Sequence, residues 1–429
     1  METDPTRMCE LLVGLPDVVV TGVGDWPSWL RIAIEARYQR PACAGCGTGA
    51  HGHGRRVVVL VDLPVFGRAA RLVWTKRRWR CANGRCSVGT WGEQDPRIAS
   101  TRSQLTTRAA RWATVQVGRH GRSVAEVAAD LGCDWHTVMD AVIVYGQPLI
   151  DDPARFGDVT AVGLDETLFA RDGPFRRQRW STQIVDVQRG QLLDVVAGRD
   201  TVEPCRWFAE RPAEWCQRIR WATLDLSSSY RIVFDTMLPH ATQVADPFHV
   251  VRLANAAVDE CRRRVQNETL GHRGRKSDPL YRCRRLLVMA AERIGDDRHE
   301  RLRGLLAAGD PKGELRMTWH AKEVVRQIYD HTDAEVAAAW VDDIGRDFTD
   351  TSMPLEVRRL GRTIKRWRDQ VVAWHHAHVS NGPTEAVNNL VKRVKRVAFG
   401  FRRFRNYRIR ALLYAGKPNW TLLDHLTPP

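Results

Sequence analysis

Three carboxylates stand out by context: Asp165 in VGLDET, Asp225 in ATLDLSSSY and Glu385 in SNGPTEAVNN. The first two end apolar, strand-like runs, and the third opens a helical stretch loaded with Arg and Lys. Acids on two neighbouring strands and one helix can hold a pair of divalent cations, which activate an attacking oxygen and stabilise the leaving oxygen of a phosphodiester. Asp246, in VADPFHVV, ends the next strand-like run and rivals Asp225 as second carboxylate. Each acid also has a plain reading. Asp165 and Glu166 suit a turn, Asp225 could cap the helix beginning near Ser227, and a first-turn Glu385 complements a helix dipole.

Four cysteines form a second constellation, Cys43 and Cys46, then Cys81 and Cys86. Two thiolate pairs on turns flanking a hairpin give the soft tetrahedral donor set of a closed, structural zinc site. His51 and His53 are possible substitutes, but HGHG reads as a solvated loop. The other six cysteines are scattered and read as buried small residues.

Next comes SVAEVAADLGCDWHTVMDAVIVYG, which reads as a helix-turn-helix. Ser123 caps the first helix, Gly132 makes the turn, and Asp134 or Trp135 opens the second. The second helix would place Trp135, His136 and Thr137 near base edges or phosphates. Beyond Glu385, Val387, Leu390, Val391, Val394 and Val397 are expected on a buried stripe. Glu385, Asn388, Asn389, Lys392, Arg393 and Arg396 would lie opposite. Residues 386–410 hold nine Lys or Arg, including Arg402 and Arg403, and no acid, with four aromatics interleaved. That mixture suits nucleic acid.

The elements that must position these residues follow from periodicity. Runs at CELLVGL, VVVTGV and LRIAIEA read as strands, as do RRVVVLVDLP and RAARLVWTKRRWRC, joined near Phe66-Gly67. From 156 the pattern is three strands (two of them turned at Arg189-Gly190), then helix, strand, helix, strand, helix. That order matches a ribonuclease H-like α/β fold, in which the first and fourth strands lie side by side and Asp165 meets Asp225. Residues 250–375 are helical in pattern, with Trp319, Trp340, Trp367 and Trp374 as anchors, and 266–281 read as a flexible loop.

The 429 residues carry 66 Lys and Arg against 50 Asp and Glu, a net charge of +16. The excess implies a polyanionic partner. No apolar run approaches a spanning helix and the N-terminus lacks a signal peptide's pattern, so a soluble cytoplasmic protein with no membrane partner is expected.

These residues resemble the ISL3 family of bacterial insertion-sequence transposases. The resemblance runs through CAGCG, RCANGRC, the helix-turn-helix, VGLDET and LDLSSSY. It is most specific in ADPFHVVRLANAAVDECRRR and SNGPTEAVNNLVKRVKRVAFGFRRFRNYRIRALL. It implies a multidomain α/β plus α chain: a β segment over 1–40, a zinc ribbon over 41–92 and a helix-turn-helix over 100–148. A ribonuclease H-like catalytic domain over 155–265 and 376–415 would be interrupted by a helical insertion over 266–375, with a tail over 416–429. It further implies an Asp-Asp-Glu site at Asp165, Asp225 and Glu385 holding two Mg²⁺ or Mn²⁺. The activity implied is cleavage and strand transfer of double-stranded DNA, element ends into target, by a homodimer or larger assembly. Pro247 departs from the basic residue common in the family. The rival reading is a DNA-binding regulator with an inactive transposase-derived domain, and a third is a nuclease that cuts without joining.

Overall fold

The computed structural model describes residues 2–426, so the last three residues of the expected tail lie outside the described residues. The chain divides into two compact units, Met1–Gly157 with Leu390–Pro429, and Asp158–Asn389.

In the first unit, helix α1 (Pro5–Val13) precedes strands β1 (Val18–Asp25) and β2 (Leu30–Ala36). The CELLVGL run is therefore helical where a strand was expected. Asp4 accepts from the amides of Thr6 and Arg7, Pro5 fits the first turn, and Gly14 closes the helix with φ of 62°. Strands β3 (Ala50–Val65) and β4 (Arg68–Cys81) form the long hairpin, turned at Phe66 and Gly67, which both have positive φ. The sheet order is β1-β2-β4-β3, with the short β5 (Thr90–Gly92) also on β4. The HGHG stretch is not a loop: His51 pairs with Arg80 inside the ladder.

Helices α2 (Thr107–Gly118), α3 (Val124–Leu131) and α4 (Trp135–Asp151) follow. Ser123 and Glu126 make a reciprocal capping box at the start of α3, and Asp134 caps α4 through the Thr137 amide. A partly buried ion pair fixes α2 to the sheet. Asp62, fully buried on β3, accepts from Arg108 Nε at 2.8 Å and from the Thr106 hydroxyl at 2.7 Å. Gly132, in the left-handed conformation, lets the turn come against the sheet, since a Cβ there would lie 2.9 Å from the Ala69 Cβ.

The second unit is built on a five-stranded sheet. Its strands are β6 (Ala161–Asp172), β7 (Arg177–Asp186), β8 (Gln191–Ala197), β9 (Trp221–Leu224) and β10 (Thr242–Ala245). The order is β10-β9-β6-β7-β8, parallel from β10 to β6 and antiparallel beyond. The first and fourth strands of the unit are thus neighbours, as the element order predicts. Helices α5 (Val202–Ala209) and α6 (Ala213–Gln217), broken at Pro212, lead into β9, and α7 (Ser228–Met237) joins β9 to β10.

Helix α8 (Pro247–Leu270) runs into the expected loop before the chain turns and re-enters α9 (Pro279–Leu287). Five further helices complete the segment: α10 (Asp296–Gly309), α11 (Glu314–Gln327), α12 (Ala334–Asp347), α13 (Leu355–Arg366) and α14 (Arg368–Ala377). Helices α8 to α11 share a core of their own, in which Val258, Leu280, Leu302, Leu315 and Trp319 pack with Cys261 and Cys283. Those two cysteines are the small buried residues anticipated; Cys9, Cys133, Cys205 and Cys216 are only partly covered. Helix α15 (Gly382–Val397) carries Glu385 in its first turn, and α16 (Phe404–Ala415) follows. Among the described residues, no helix is long and apolar enough to cross a membrane.

One glycine sets how closely the Glu385 segment can lie on the sheet. A Cβ on Gly163 of β6 would sit 2.4 Å from Thr384 Oγ1, 2.6 Å from Asn381 Oδ1 and 2.7 Å from Thr223 Oγ1. Gly163→Ala is expected to lower stability by about 1–3 kcal/mol through overpacking. The measurement is urea unfolding, and an unchanged midpoint would show that the segment moves aside freely.

Candidate functional site

The strand register converges the two aspartates. Gly163 pairs with Thr223 across the parallel β6–β9 ladder, and Asp165 and Asp225 each lie two residues further on. They therefore share one sheet face on strands about 4.8 Å apart. Asp225 is followed by Leu226 at φ of 63°, a left-handed conformation that is strained for a branched residue. This bend ends β9 and lets Ser227 cap α7.

Asp165 is held from two directions. The Glu166 amide donates to its Oδ1 at 2.8 Å, and Asn388 Nδ2 on α15 donates to its Oδ2 at 2.6 Å. Burial, and then the charge of Asp225, nevertheless raise its carboxyl to about 6. Glu166 is raised too, by burial first and Asp225 second, although the Tyr230 hydroxyl and Arg199 favour its charged form. The Asp225 Oδ1 is buried with no hydrogen-bond partner. An oxygen in that condition is a strong acceptor left unsatisfied, which is what a cation would relieve. The carboxylates Asp165, Asp225 and Glu385 would offer oxygen ligands, the kind that Mg²⁺ and Mn²⁺ take.

Asp246, the rival, is in a different state. It is 3 % exposed, and each oxygen is engaged: Oδ1 accepts from the Asn381 amide at 3.2 Å, and Oδ2 faces His249 Nδ1 at 2.8 Å. His249 in turn sets its Nε2 3.7 Å from Glu385 Oε1. Burial pushes the His249 imidazolium down, but Asp246 and Asp225 together bring its pKa above the usual value. His249 thus lies between Asp246 and Glu385, and Asn381 anchors the turn before α15 by accepting from the Thr223 hydroxyl at 3.0 Å.

The face assignment of α15 needs correction. Leu390 is 39 % exposed, whereas Asn388 is 2 % exposed. The buried face is Thr384, Val387, Asn388, Val391 and Val394, while Val397 is half-buried. Asn388 belongs there because it faces Asp165 rather than an apolar core. Asn388, His249 and Tyr230 carry no weight in the sequence reading. The available signals were spacing of i, i+3 from Glu385 to Asn388 and from Asp246 to His249 across a helix start.

In the first unit, the four cysteine Sγ atoms all lie within 4.8 Å of one another. Cys43 is 3.7 Å from Cys86 and Cys46 is 3.4 Å from Cys81, so each turn's thiols face the other turn's. Tetrahedral zinc with bonds near 2.3 Å requires sulfurs about 3.8 Å apart, so the set fits. Hydrogen bonds from Thr48 hold Cys46 down at about 6, and desolvation pushes Cys81 up to about 12. Among the described residues, the acidic site does not gather three such ligand atoms this tightly.

Of the expected DNA-facing residues, Trp135 is 41 % exposed and His136 is exposed beside it, edge to face. Thr137 is more committed, since its hydroxyl contacts Asp134 at 2.8 Å and Gln104 at 2.9 Å. Lys392, Arg393, Arg396, Arg402 and Arg403 are all exposed, with the Arg393 guanidinium lying 5.7 Å from the Tyr414 ring centre.

Comparison with known proteins classes the chain with the transposases. A family model described as transposase matches residues 162–411, one described as the zinc-finger of transposase IS204/IS1001/IS1096/IS1165 matches 39–86, and one for the helix-turn-helix domain of transposase family ISL3 matches 94–143. The first alone spans more than half of the sequence, and the chain belongs to the ISL3 family.

Among relatives, the transposase for insertion sequence element IS1557 of Mycobacterium tuberculosis, in two strains, is 28% identical over 272 residues. That match covers 58% of each chain, so less than two thirds of the IS1557 protein is spanned. The transposase for insertion sequence element IS1001 of Bordetella parapertussis is 22% identical over 400 residues, 88% of this chain and 90% of the other.

Two outcomes follow. Between pH 3.8 and about 6 the folded protein holds the Asp165 proton that the unfolded chain releases, so the stability contribution of this group falls as pH rises through that window. In buffer free of divalent salts, Asp165→Asn should therefore be more stable than the parent at pH 8 by about 1–3 kcal/mol, with the gain gone by about pH 4. Urea titrations at the two pH values measure this; equal stability at pH 8 would mean that ionised Asp165 carries no penalty from burial or from Asp225.

Zinc is expected at one per chain by elemental analysis. Changing Cys43 and Cys46 to Ser should remove it, with loss of apparent binding worth roughly 10–16 kcal/mol. Hydrogen exchange should then rise around the cysteine turns and spare residues 57–65, whose end of the hairpin has an apolar core of Ile34, Leu60, Leu72 and Trp74.

Proposed function

We propose that this protein binds the terminal inverted repeats of its insertion sequence and catalyses DNA cleavage and strand transfer at Asp165, Asp225 and Glu385. The observation that carries this reading is the buried, unpartnered Asp225 Oδ1 beside an Asp165 carboxyl raised to about 6. Acids crowded without a counter-charge are poised for a cation. When bound, two Mg²⁺ or Mn²⁺ ions supply charge stabilisation for the attacking and leaving oxygens of a phosphodiester.

The chain's own residues do the positioning. Asn388 and the Glu166 amide fix the Asp165 carboxylate, and His249, backed by Asp246, aims Glu385. Asp246 is an orienting group in this reading rather than the second ligand. The strand order supports a ribonuclease H-like sheet, with the separate core of the helical segment supporting its reading as an insertion. Structural zinc stiffens the ribbon, and the ribbon and helix-turn-helix recognise the ends, with Trp135, His136 and Thr137 at the head of the recognition helix. The exposed cations Lys392, Arg393, Arg396, Arg402 and Arg403 hold phosphates. Two ends must be held at once, so the working form is a homodimer or larger, acting on cytoplasmic DNA.

The test is single substitution with cleavage and end binding measured separately. Asp165→Asn, Asp225→Asn and Glu385→Gln should each abolish cleavage and leave binding intact. Asp246→Asn should cut about 10- to 100-fold more slowly, as loss of an orienting partner does. If Asp225→Asn still cuts and Asp246→Asn does not, the roles of the two aspartates are exchanged.

A further inference from the structure

Within the first unit, the heads of α3 and α4 face the segment that follows α15 across a cleft of about 370 Å³. Trp135 and His136 line one side; Phe399, Phe401, Arg402 and Arg403 are on the other, with Arg410 also lining it. No acid is among the lining residues. Three features of this cleft are costly to the protein alone.

The first is Arg410, which is 2 % exposed. One of its Nη atoms donates to the Arg122 carbonyl at 3.0 Å, its guanidinium lies 5.4 Å from the Phe401 ring centre, and its Nε has no partner. Burial lowers its pKa to about 10, with no anion compensating. A buried cation in this state gains most from an anion supplied from outside.

The second is Phe399. The Phe399 and Gly400 amides close α15 on the Arg396 and Lys395 carbonyls, and both residues have positive φ, 53° and 98°. Glycine is the usual residue in such a closing position. Here a phenylalanine occupies it, a residue that is 99 % exposed. Both the backbone conformation and the apolar exposure are unfavourable until something covers the ring.

The third is Trp135, a large aromatic left 41 % exposed at the head of the helix expected to meet DNA. Aromatic faces beside unpaired cations are the elements that bind an unstacked base and its phosphate. The cleft is at the small end of the range for ligand pockets, which suits one nucleotide rather than a duplex.

We propose that this cleft binds a single unstacked nucleotide of the bound DNA, its base against Phe399 and its phosphate toward Arg410, Arg402 and Arg403. This rests on the transposase reading, because it takes the ligand to be the DNA that the helix-turn-helix holds. The cost of unstacking is met by aromatic contact, as where apolar side chains wedge between base steps.

The experiment compares two duplexes of the same element-end sequence, one fully paired and one carrying a single unpaired nucleotide, by fluorescence anisotropy. The full-length protein should prefer the second by about tenfold, the scale of one base–aromatic contact. Phe399→Gly suits its left-handed backbone and keeps the fold, so it isolates the ring; the preference should fall to within about twofold of unity.

2-Aminopurine at the unpaired position should be quenched by the parent and not by Phe399→Gly. A neutral methylphosphonate at one of the two phosphates flanking that nucleotide should also reduce the parent's preference. Binding to both duplexes with no preference would overturn the nucleotide site and leave the transposase reading standing. So would a preference unaffected by Phe399→Gly, or by neutralising either phosphate. Failure to bind either duplex would instead overturn the DNA-binding reading on which the site rests.

Discussion

Like-charge repulsion at one end of one sheet is the constraint around which the second unit is arranged. Asp165, Glu166 and Asp225 are brought together where water is partly excluded, and burial first, with the Asp225 charge second, raises the Asp165 and Glu166 carboxyls. Repulsion of this kind would drive the strands apart unless covalent order and hydrogen bonding opposed it. The parallel register of β6 and β9 sets the spacing, and a missing side chain at Gly163 admits the Asn381–Glu385 turn. Donors are then supplied from three directions: Asn388 from α15, the Glu166 amide from the strand, and the Tyr230 hydroxyl from α7. The site trades stability for readiness to take charge, which is the familiar conflict between a stable and a functional active centre.

The first unit shows the opposite imbalance. One internal tie is a compensated ion pair, Asp62 with Arg108, where the sheet meets α2. Arg410, by contrast, is buried without an acid, and Phe399 is exposed where glycine would cost less. Asp62 has its countercharge where β3 meets α2, whereas the Arg410 guanidinium has no acid beside it in the cleft. That contrast separates architecture from recognition within a single folded body.

Much of this arrangement is legible in the sequence, for identifiable reasons. The meeting of Asp165 and Asp225 follows from three strands, a helix and a strand in order, since such a unit pairs its first and fourth strands. Ser123, Gly132 and Asp134 mark their helix ends by local chemistry alone. Four cysteines around a hairpin reach one point because the hairpin brings both turns to its open end. The failures are also physical. CELLVGL is apolar enough for a strand, but Asp4-Pro5 at its head and Gly14 at its tail decide for a helix. The faces of α15 were drawn by hydrophobicity, which cannot register a buried polar surface. Asn388 and Thr384 are inside because their neighbours are acids and hydroxyls, and that is tertiary information. Which aspartate has a free oxygen, Asp225 or Asp246, depends on partners 135 residues away in the chain, such as the Asn381 amide.

The packing of α16 has a consequence for manufacture. Leu413 occupies the room left by Gly118 and Gly146; a Cβ on either would come within about 3 Å of its side chain. The helix-turn-helix is therefore covered by a segment that leaves the ribosome long after it. At ordinary bacterial elongation speeds, roughly 13–53 s separate the two. Residues 158–389 emerge during that interval, while α2 and α4 wait with an apolar groove open to solvent. Nascent chains on crowded polysomes are thus sticky at the DNA-reading end, a natural place for a chaperone to sit. A polypeptide that ends before α16 keeps the five-stranded sheet of the second unit and leaves this groove uncovered.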